Sequence, residues 1–262
     1  MENLSVGQTD DSTPGIRFNR YVASSGTCSR RKADELVEAG RVTVDGEVAV
    51  MGTRVTAGQI VRVEGKPVFP EDDLVYIALN KPLGVTCTTD IRDKDNIIDF
   101  LGFDRRIFPI GRLDKMSTGL ILLTNDGAIV NRLLRAEGQH EKEYKVEVDQ
   151  PITDDFLMKM REGVPILDQI TLPCKVFPIG THSFRIILTQ GLNRQIRRMC
   201  EYLGFRVLRL KRTRILNIDL GTLPIGQWRR LTFKELSDLK AILDHPSGKG
   251  SLRRSRDTSD SV

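Results

Sequence analysis

The chain has 262 residues, 39% of them apolar, and a formal charge of +5. That length fits one large domain or a small one joined to a medium one, and the basic excess points to a polyanionic partner. No apolar run approaches the ~18 residues of a membrane span. Met1 to Gly15 lacks the basic start and apolar centre of a secretion signal, Cys28, Cys87, Cys174 and Cys200 form no C-x-x-C pair, and His140, His182 and His245 are scattered, so no leader, disulfide framework or zinc site is expected. A cytoplasmic protein with reduced thiols, no membrane segment and no bound metal is expected.

Residues 1–14 are rich in Ser, Thr, Asp and Gly, and disorder is expected there. A module over residues 15–67 follows. Phe18, Tyr21, Val22 and Ser25 recur at helical spacing up to Gly26. Ser29 is placed to cap a second helix, Arg30 to Ala39, which Gly40 stops. Val42, Val44 and Val48 alternate around Asp45-Gly46, a hairpin signal, and Ile60, Val61 and Val63 make a further strand. Arg17, Arg20, Arg30, Arg31 and Lys32 fall on the two helices or beside them. A solvated charged face would explain them, and so would a surface for nucleic acid. The segments Phe18-Asn19-Arg20-Tyr21, Cys28 to Ala33 and Gly40 to Gly46 resemble the S4 RNA-binding domain. The resemblance implies that the five cations meet RNA phosphates.

Residues 68–73, with a proline and three consecutive acids, read as a linker, and a second domain is expected over residues 74–244. Val75 to Leu79 is a buried-strand pattern, cut off by Asn80-Lys81-Pro82. Leu120 to Leu123 is another, ended by Asn125-Asp126-Gly127, and Ile129, Val130, Leu133 and Leu134 follow at helical spacing. Tyr144, Val146 and Val148 alternate with charged residues, and Phe184, Ile186 and Leu188 alternate likewise. Strands and helices without regular βαβ repetition predict an α+β fold on a mixed, mostly antiparallel sheet. Residues 245–262, rich in Ser and Arg, are expected to be a flexible basic tail.

The chemistry concentrates in two segments. From Gln190 to Arg214 eight Lys or Arg stand against the single acid Glu201, so this stretch carries +7, more than the whole chain. No phosphate loop, dinucleotide fingerprint or nucleophile elbow occurs, which removes support for ATP, nicotinamide and serine-hydrolase chemistry. Asp114 lies in Gly111-Arg112-Leu113-Asp114-Lys115, between Phe108-Pro109-Ile110 and Leu120 to Leu123. A loop aspartate is commonly a turn or surface residue. Here the loop is pinned by core at both ends, and Arg112 and Lys115 are expected to keep the carboxylate ionised and able to attack an electrophile. On a helix from Asn193 to Leu203, Ile196, Met199, Cys200 and Leu203 share one face, Arg194 and Arg198 lie opposite, and Arg197 stands at the boundary. A boundary arginine wants a carboxylate, to which its planar fork can bond through both oxygens, and Glu201 one turn on is a competing partner. Tyr144 on the apolar side of its strand fits a core role or a functional one, and Trp228 fits packing or base stacking.

Asn80 to Val85, Gly111 to Lys115 with Ser117 to Leu120, Lys142-Glu143-Tyr144, Gly191 to Met199, Lys211 to Ile215 and Gly226 to Thr232 together resemble the pseudouridine synthases of the RsuA, RluB, RluE and RluF group, most closely the RluF type. The resemblance implies an isomerase that converts a uridine in a 23S ribosomal RNA stem-loop to pseudouridine, flips the base out, and needs no cofactor. It makes Asp114 the nucleophile at the sugar C1′, Tyr144 the residue packed on the base, and Arg197 the partner of the aspartate. It puts Arg112, Leu113, Lys115, Arg194, Gln195 and Ile196 against RNA. A monomer is expected. The competing readings are a non-catalytic S4-type RNA-binding or ribosome-assembly factor, and an enzyme of the same family acting on another rRNA or tRNA uridine.

Overall fold

The computed structural model describes residues 14–134 and 140–244. The expectations of a disordered start, Pro14 apart, and of a flexible tail over 245–262 lie outside the described residues. Two compact units emerge, one of residues up to Val75 with Leu101–Phe108 and Thr124–Gly127, the other of Tyr76–Phe100, Pro109–Leu123 and the residues from Ala128 on.

In the first unit β1 (Ile16–Arg17) leads into α1 (Phe18–Ser24) and α2 (Arg30–Glu38). The Ser29 side chain accepts from Lys32 N at 3.1 Å, the capping bond its position favours. Then come β2 (Val42–Val44), β3 (Glu47–Val48), β4 (Arg54–Val55), β5 (Val61–Val63) and β6 (Lys66–Val68). A four-stranded sheet, β3-β2-β5-β6, turns Val42, Val44, Val61 and Val63 onto Phe18, Val22, Ala33 and Val37 of the two helices. The Asp45-Gly46 turn has positive φ at both residues, as a tight hairpin demands. The acidic stretch before Val75 is tied into this unit. Glu71 Oε2 accepts from Asn125 Nδ2 at 2.7 Å, and Asp73 Oδ2 accepts from Arg105 Nη1 at 2.6 Å.

Further along the chain lie β7 (Tyr76–Lys81), α3 (Ile97–Leu101), β8 (Phe108–Ile110), β9 (Thr118–Thr124), α4 (Gly127–Leu134), β10 (Lys142–Val148) and α5 (Asp154–Glu162). They are followed by β11 (Pro165–Ile166), β12 (Gln169–Ile170), β13 (Lys175–Gly180), β14 (Ser183–Leu188), α6 (Gln195–Tyr202), β15 (Val207–Ile215), β16 (Ile218–Asp219), β17 (Trp228–Arg230) and α7 (Phe233–Asp244). The large sheet runs β13-β14-β10-β15-β9-β7-β17, with β16 beside β15. The pairs β13–β14, β14–β10, β10–β15, β15–β16 and β7–β17 are antiparallel, and β15–β9 is parallel. The α+β class with a mixed, mostly antiparallel sheet holds.

Two cores lie along this sheet. One gathers Val146, Val148, Phe184 and Ile186 against Phe156 and Met160 of α5 and Ile196, Met199 and Cys200 of α6. The other gathers Ala78, Leu120 and Leu122 against Ile129 and Leu133 of α4 and Leu239 and Leu243 of α7. The parallel contact of β9 with β15 depends on Gly119, which has φ +100 and lies opposite Arg212. A Cβ there would run into the carbonyl oxygen and amide nitrogen of Arg212.

Two readings of the sequence need correction. The strand expected to end at Leu79 continues through Asn80 and Lys81, all six of its residues buried. Lys81 can be enclosed because its Nζ donates to Val85 O at 2.7 Å and Pro82 O at 2.8 Å. The helix expected from Asn193 begins at Gln195, after Arg194 in a left-handed conformation with φ 49. Trp228, which fitted packing or base stacking, is 40% exposed on β17.

Candidate active site

Asp114 sits in the loop between β8 and β9, and the loop closes on itself. Asp114 Oδ1 accepts from Met116 N at 3.0 Å and Oδ2 from Ser117 Oγ at 2.9 Å, while Ser117 N donates to Asp114 O at 3.0 Å. This is an Asx-type turn, the local bonding that short polar side chains favour. The neighbouring Asn80–Val85 segment braces it, since Gly84 N donates to Lys115 O at 2.9 Å. Burial lowers the affinity of the Lys81 ammonium for its proton, an effect that Cys87 and Asp114 oppose.

Arg197 reaches this loop from α6. Its Nε donates to Asp114 Oδ2 at 3.3 Å, Nη2 to Met116 O at 2.8 Å and Ser117 Oγ at 3.3 Å, and Nη1 to Val207 O at 3.4 Å. The side chains of Arg197 and Asp114 are only 12% and 21% exposed. The fork does not grip both carboxylate oxygens, as its geometry alone would suggest. It spends one nitrogen on Oδ2 and two on the loop backbone, Ser117 and β15, so it clamps the whole turn rather than the carboxylate alone. The alternative pairing with Glu201 does not occur among the described ion pairs.

A cavity of about 450 Å³ opens over this turn, lined among others by Asp114, Tyr144, Leu113, Ile196, Arg112 and Arg194. Tyr144 is half-buried on β10, packed against the first core, and its hydroxyl has no hydrogen-bond partner among the described residues. Leu113 and Ile196 are buried and supply apolar wall. Gln195 is buried too, and its amide is already engaged, accepting from Leu192 N at 3.1 Å and donating to Gln190 Oε1 at 3.3 Å. It staples the Gln190–Gln195 loop, so its direct reach to RNA is smaller than its sequence position suggests. Of the cations flanking Asp114, Arg112 stands at the rim, but Lys115 turns away to Asp95 Oδ2 at 2.7 Å. The cation that faces the carboxylate comes from 83 residues away in Arg197. Arg198, expected in open solvent, is half-buried and bonds Asn193 O at 3.1 Å and Asn193 Oδ1 at 3.3 Å.

Arg17, Arg20, Arg30, Arg31 and Lys32 belong to the first unit, and all five are exposed. Lys32 is partly neutralised by Glu35, 2.9 Å away. Arg30 binds its proton less tightly because of partial burial and the neighbouring Arg20. Among the described residues no group of three or more His, Cys, Asp or Glu could hold a metal ion, and no helix is long and apolar enough to cross a membrane. Ser117 entered the sequence reading only as part of a motif and without a role, although a serine three residues after an aspartate is a turn signal.

The chain is similar to known proteins along most of its length. The family model described as RNA pseudouridylate synthase matches residues 75–202, and that of the S4 domain matches residues 16–65. The dual-specificity RNA pseudouridine synthase RluF of Salmonella typhi is 53% identical over 243 residues, covering 92% of this chain and 83% of the relative. Its counterpart in Escherichia coli strain K12 is 51% identical over 236 residues, covering 89% and 81%. The ribosomal large subunit pseudouridine synthase B of Bacillus subtilis is 35% identical, covering 87% and 97%. A crystal structure of a pseudouridylate synthase superposes with a TM-score of 0.62 at 26% identity, covering 87% of this chain and all of the other.

Proposed function

This chain belongs to the RNA pseudouridine synthases, of the RluF type, and from that premise we propose that it isomerises one uridine in a stem-loop of 23S ribosomal RNA, with Asp114 as the nucleophile. The observation that supports this most is the triple hold on Asp114 by Ser117, the loop backbone and Arg197, at the edge of a cavity that Tyr144 also lines. A carboxylate aimed by fixed donors needs little reorganisation to attack.

On this reading a base inside the stem is flipped into the cavity, at a cost of roughly a few kcal/mol, and stacks on Tyr144. An Asp114 oxygen attacks C1′, the C1′–N1 bond breaks, and the base turns to rejoin through C5. Arg197 positions Asp114. Arg112 and Arg194 at the rim, and the exposed cations of the first unit, meet phosphates and offset the cost of flipping. The S4-like part over 15–67 binds RNA, and the part over 74–244 carries the chemistry. The enzyme acts as a monomer in the cytoplasm.

The words dual-specificity in the relatives' name favour a second substrate, and transfer RNA is the proposed one. Mapping pseudouridines in ribosomal and transfer RNA from cells with and without the gene tests both. Loss of one 23S rRNA site in the deletion, restored by the intact gene but not by D114N, is the expected result. An unchanged 23S rRNA map would overturn the target.

A further inference from the structure

A second cavity, of about 480 Å³, adjoins the one over Asp114, and Tyr144 lines both. Its polar lining includes Arg212, Lys142 and Arg112, and no Asp or Glu lines it among the described residues. Much of the rest is leucine and isoleucine. Buried cations without carboxylates are costly unless something else compensates them.

Arg212 is 3% exposed. Its Nε donates to Leu120 O at 2.6 Å, while its Nη2 is buried without a hydrogen-bond partner among the described residues. Lys142 lies two residues before Tyr144 on β10, and among the described residues its Nζ donates only to His140 O, at 3.2 Å. Burial, and then the charge of Arg212, lower the affinity of Lys142 for its proton. The sheet brings these groups together by a bulge. Glu143 lies opposite Arg214, but Tyr144 lies opposite Arg212, so Thr213 is an extra residue on β15. Arg214 accordingly pairs with Glu141 and Glu143 on one face, at 3.0 and 3.6 Å, and Arg212 shares the other face with Tyr144.

A ligand for this space must have flat apolar faces to meet the leucines and an acceptor or anionic edge to meet the cations. A phosphodiester has the charge but not the apolar faces. A uracil detached from its sugar has both. We propose that Arg212, with Lys142 beside it, holds the uracil base during the reaction, its free Nη2–H donating to a carbonyl of the base and stabilising the negative charge the base carries while detached.

This rests on Asp114 acting as nucleophile on uridine. When an Asp114 oxygen bonds to C1′, the C1′–N1 pair leaves with the base, and the charge spreads over N1 and the ring carbonyls. When C5 then bonds to C1′, the carboxylate is released, C5 loses its proton and N1 gains one, so substrate and product contain the same atoms. Arg212 is needed between those two events, which is where a fixed donor contributes to rate.

The test uses the full-length protein and a stem-loop carrying uridine or 5-fluorouridine at the mapped position. Single-turnover loss of the N-glycosidic bond is measured for wild type, Arg212→Lys and Lys142→Met. Fluorine stabilises the departing anion by induction and so relieves the need for the cation. Arg212→Lys should slow the uridine substrate by about 10²–10³, as loss of one fixed donor does, and Lys142→Met by less. Both deficits should shrink by about tenfold or more with 5-fluorouridine, with RNA affinity and its salt dependence unchanged. Equal deficits on both substrates would overturn the proposal. So would weaker affinity with a flatter salt slope, which would mean a phosphate occupies the cavity. If Arg212→Lys fails to fold, Lys142→Met decides by the same ratio. Wild-type turnover of the uridine stem-loop and its loss in D114N test the underlying reading separately from that ratio.

Discussion

Ser117 and Asp114 are bonded to each other twice, backbone N to O at 3.0 Å and Oγ to Oδ2 at 2.9 Å. The carboxylate is therefore aimed by its own turn, and Arg197 adds to an orientation already set. Ser117→Ala removes the hydroxyl that both Asp114 and Arg197 use. A hydrogen bond to a charged group contributes about 1.5–3 kcal/mol, so turnover should fall by about ten- to a hundredfold with RNA affinity unchanged. Single-turnover kinetics beside a binding titration check this. Weaker binding at normal turnover would show that Ser117 serves the RNA surface instead.

Asp114→Asn should abolish isomerisation and leave RNA binding nearly intact. The amide keeps size and polarity but is a poor nucleophile, and loss of a covalent route costs many powers of ten. Pseudouridine formed by this variant at any measurable rate would remove Asp114 from that role.

Arg197→Lys should be far more damaging than Arg198→Lys. Arg197 uses all three of its nitrogens on the Asp114 turn and β15, and a lysine offers a single nitrogen in place of that spread fork. Breaking a partly buried pair costs about 3–5 kcal/mol, of which lysine recovers part. Among the described residues Arg198 bonds only to Asn193, just before its own helix. Turnover and melting temperature of both variants decide it, and a slower Arg198→Lys enzyme would contradict the assignment.

Alanine at Arg17, Arg20 and Arg31 should weaken RNA binding and flatten its salt dependence by roughly 0.7–0.9 in log–log slope for each phosphate no longer neutralised. Turnover at saturating RNA should hardly change. Lys32→Ala should do less, because Glu35 already occupies that ammonium. An unchanged slope in the triple variant would separate this surface from the RNA.

Burial pushes the Cys200 thiol up to about 12 and the Cys174 thiol up to about 11, from an ordinary 9.0. The native state then keeps protons that the unfolded chain releases. Their contribution to stability is complete below pH 9 and is lost as pH rises from 9 toward 12. Urea midpoints should therefore decline through that range, and less steeply in Cys200→Ala. A midpoint that rises above pH 9 would reverse the sign.

Periodicity exposed much of the fold. Alternation marked β10 and β14, and the apolar face of α6 is the one its spacing indicated, because both patterns are set by burial against one core. Lys81 was read as a strand breaker because charge normally ends a buried run. Two carbonyls from the next turn accept its protons, and no local pattern announces them. Lys115 looked like the cation for Asp114 by proximity in sequence, yet it faces Asp95 across a separate turn. Adjacent residues in a loop rarely point the same way, so sequence neighbours are poor guides to electrostatic partners. The orphaned nitrogen of Arg212 depends on a bulge that alternation conceals.

That bulge sends two arginines of one strand to opposite faces of the sheet. Along a regular strand Arg212 and Arg214 would be interchangeable occupants of one stripe, and swapping their surroundings would matter little. With Thr213 interposed, one arginine serves an acidic ladder and the other a cavity. Deleting Thr213 would remove the bulge and yet keep that division, because Arg212 and Arg214 would become consecutive residues of a regular ladder, still opposite Tyr144 and Glu143 and therefore still on opposite faces.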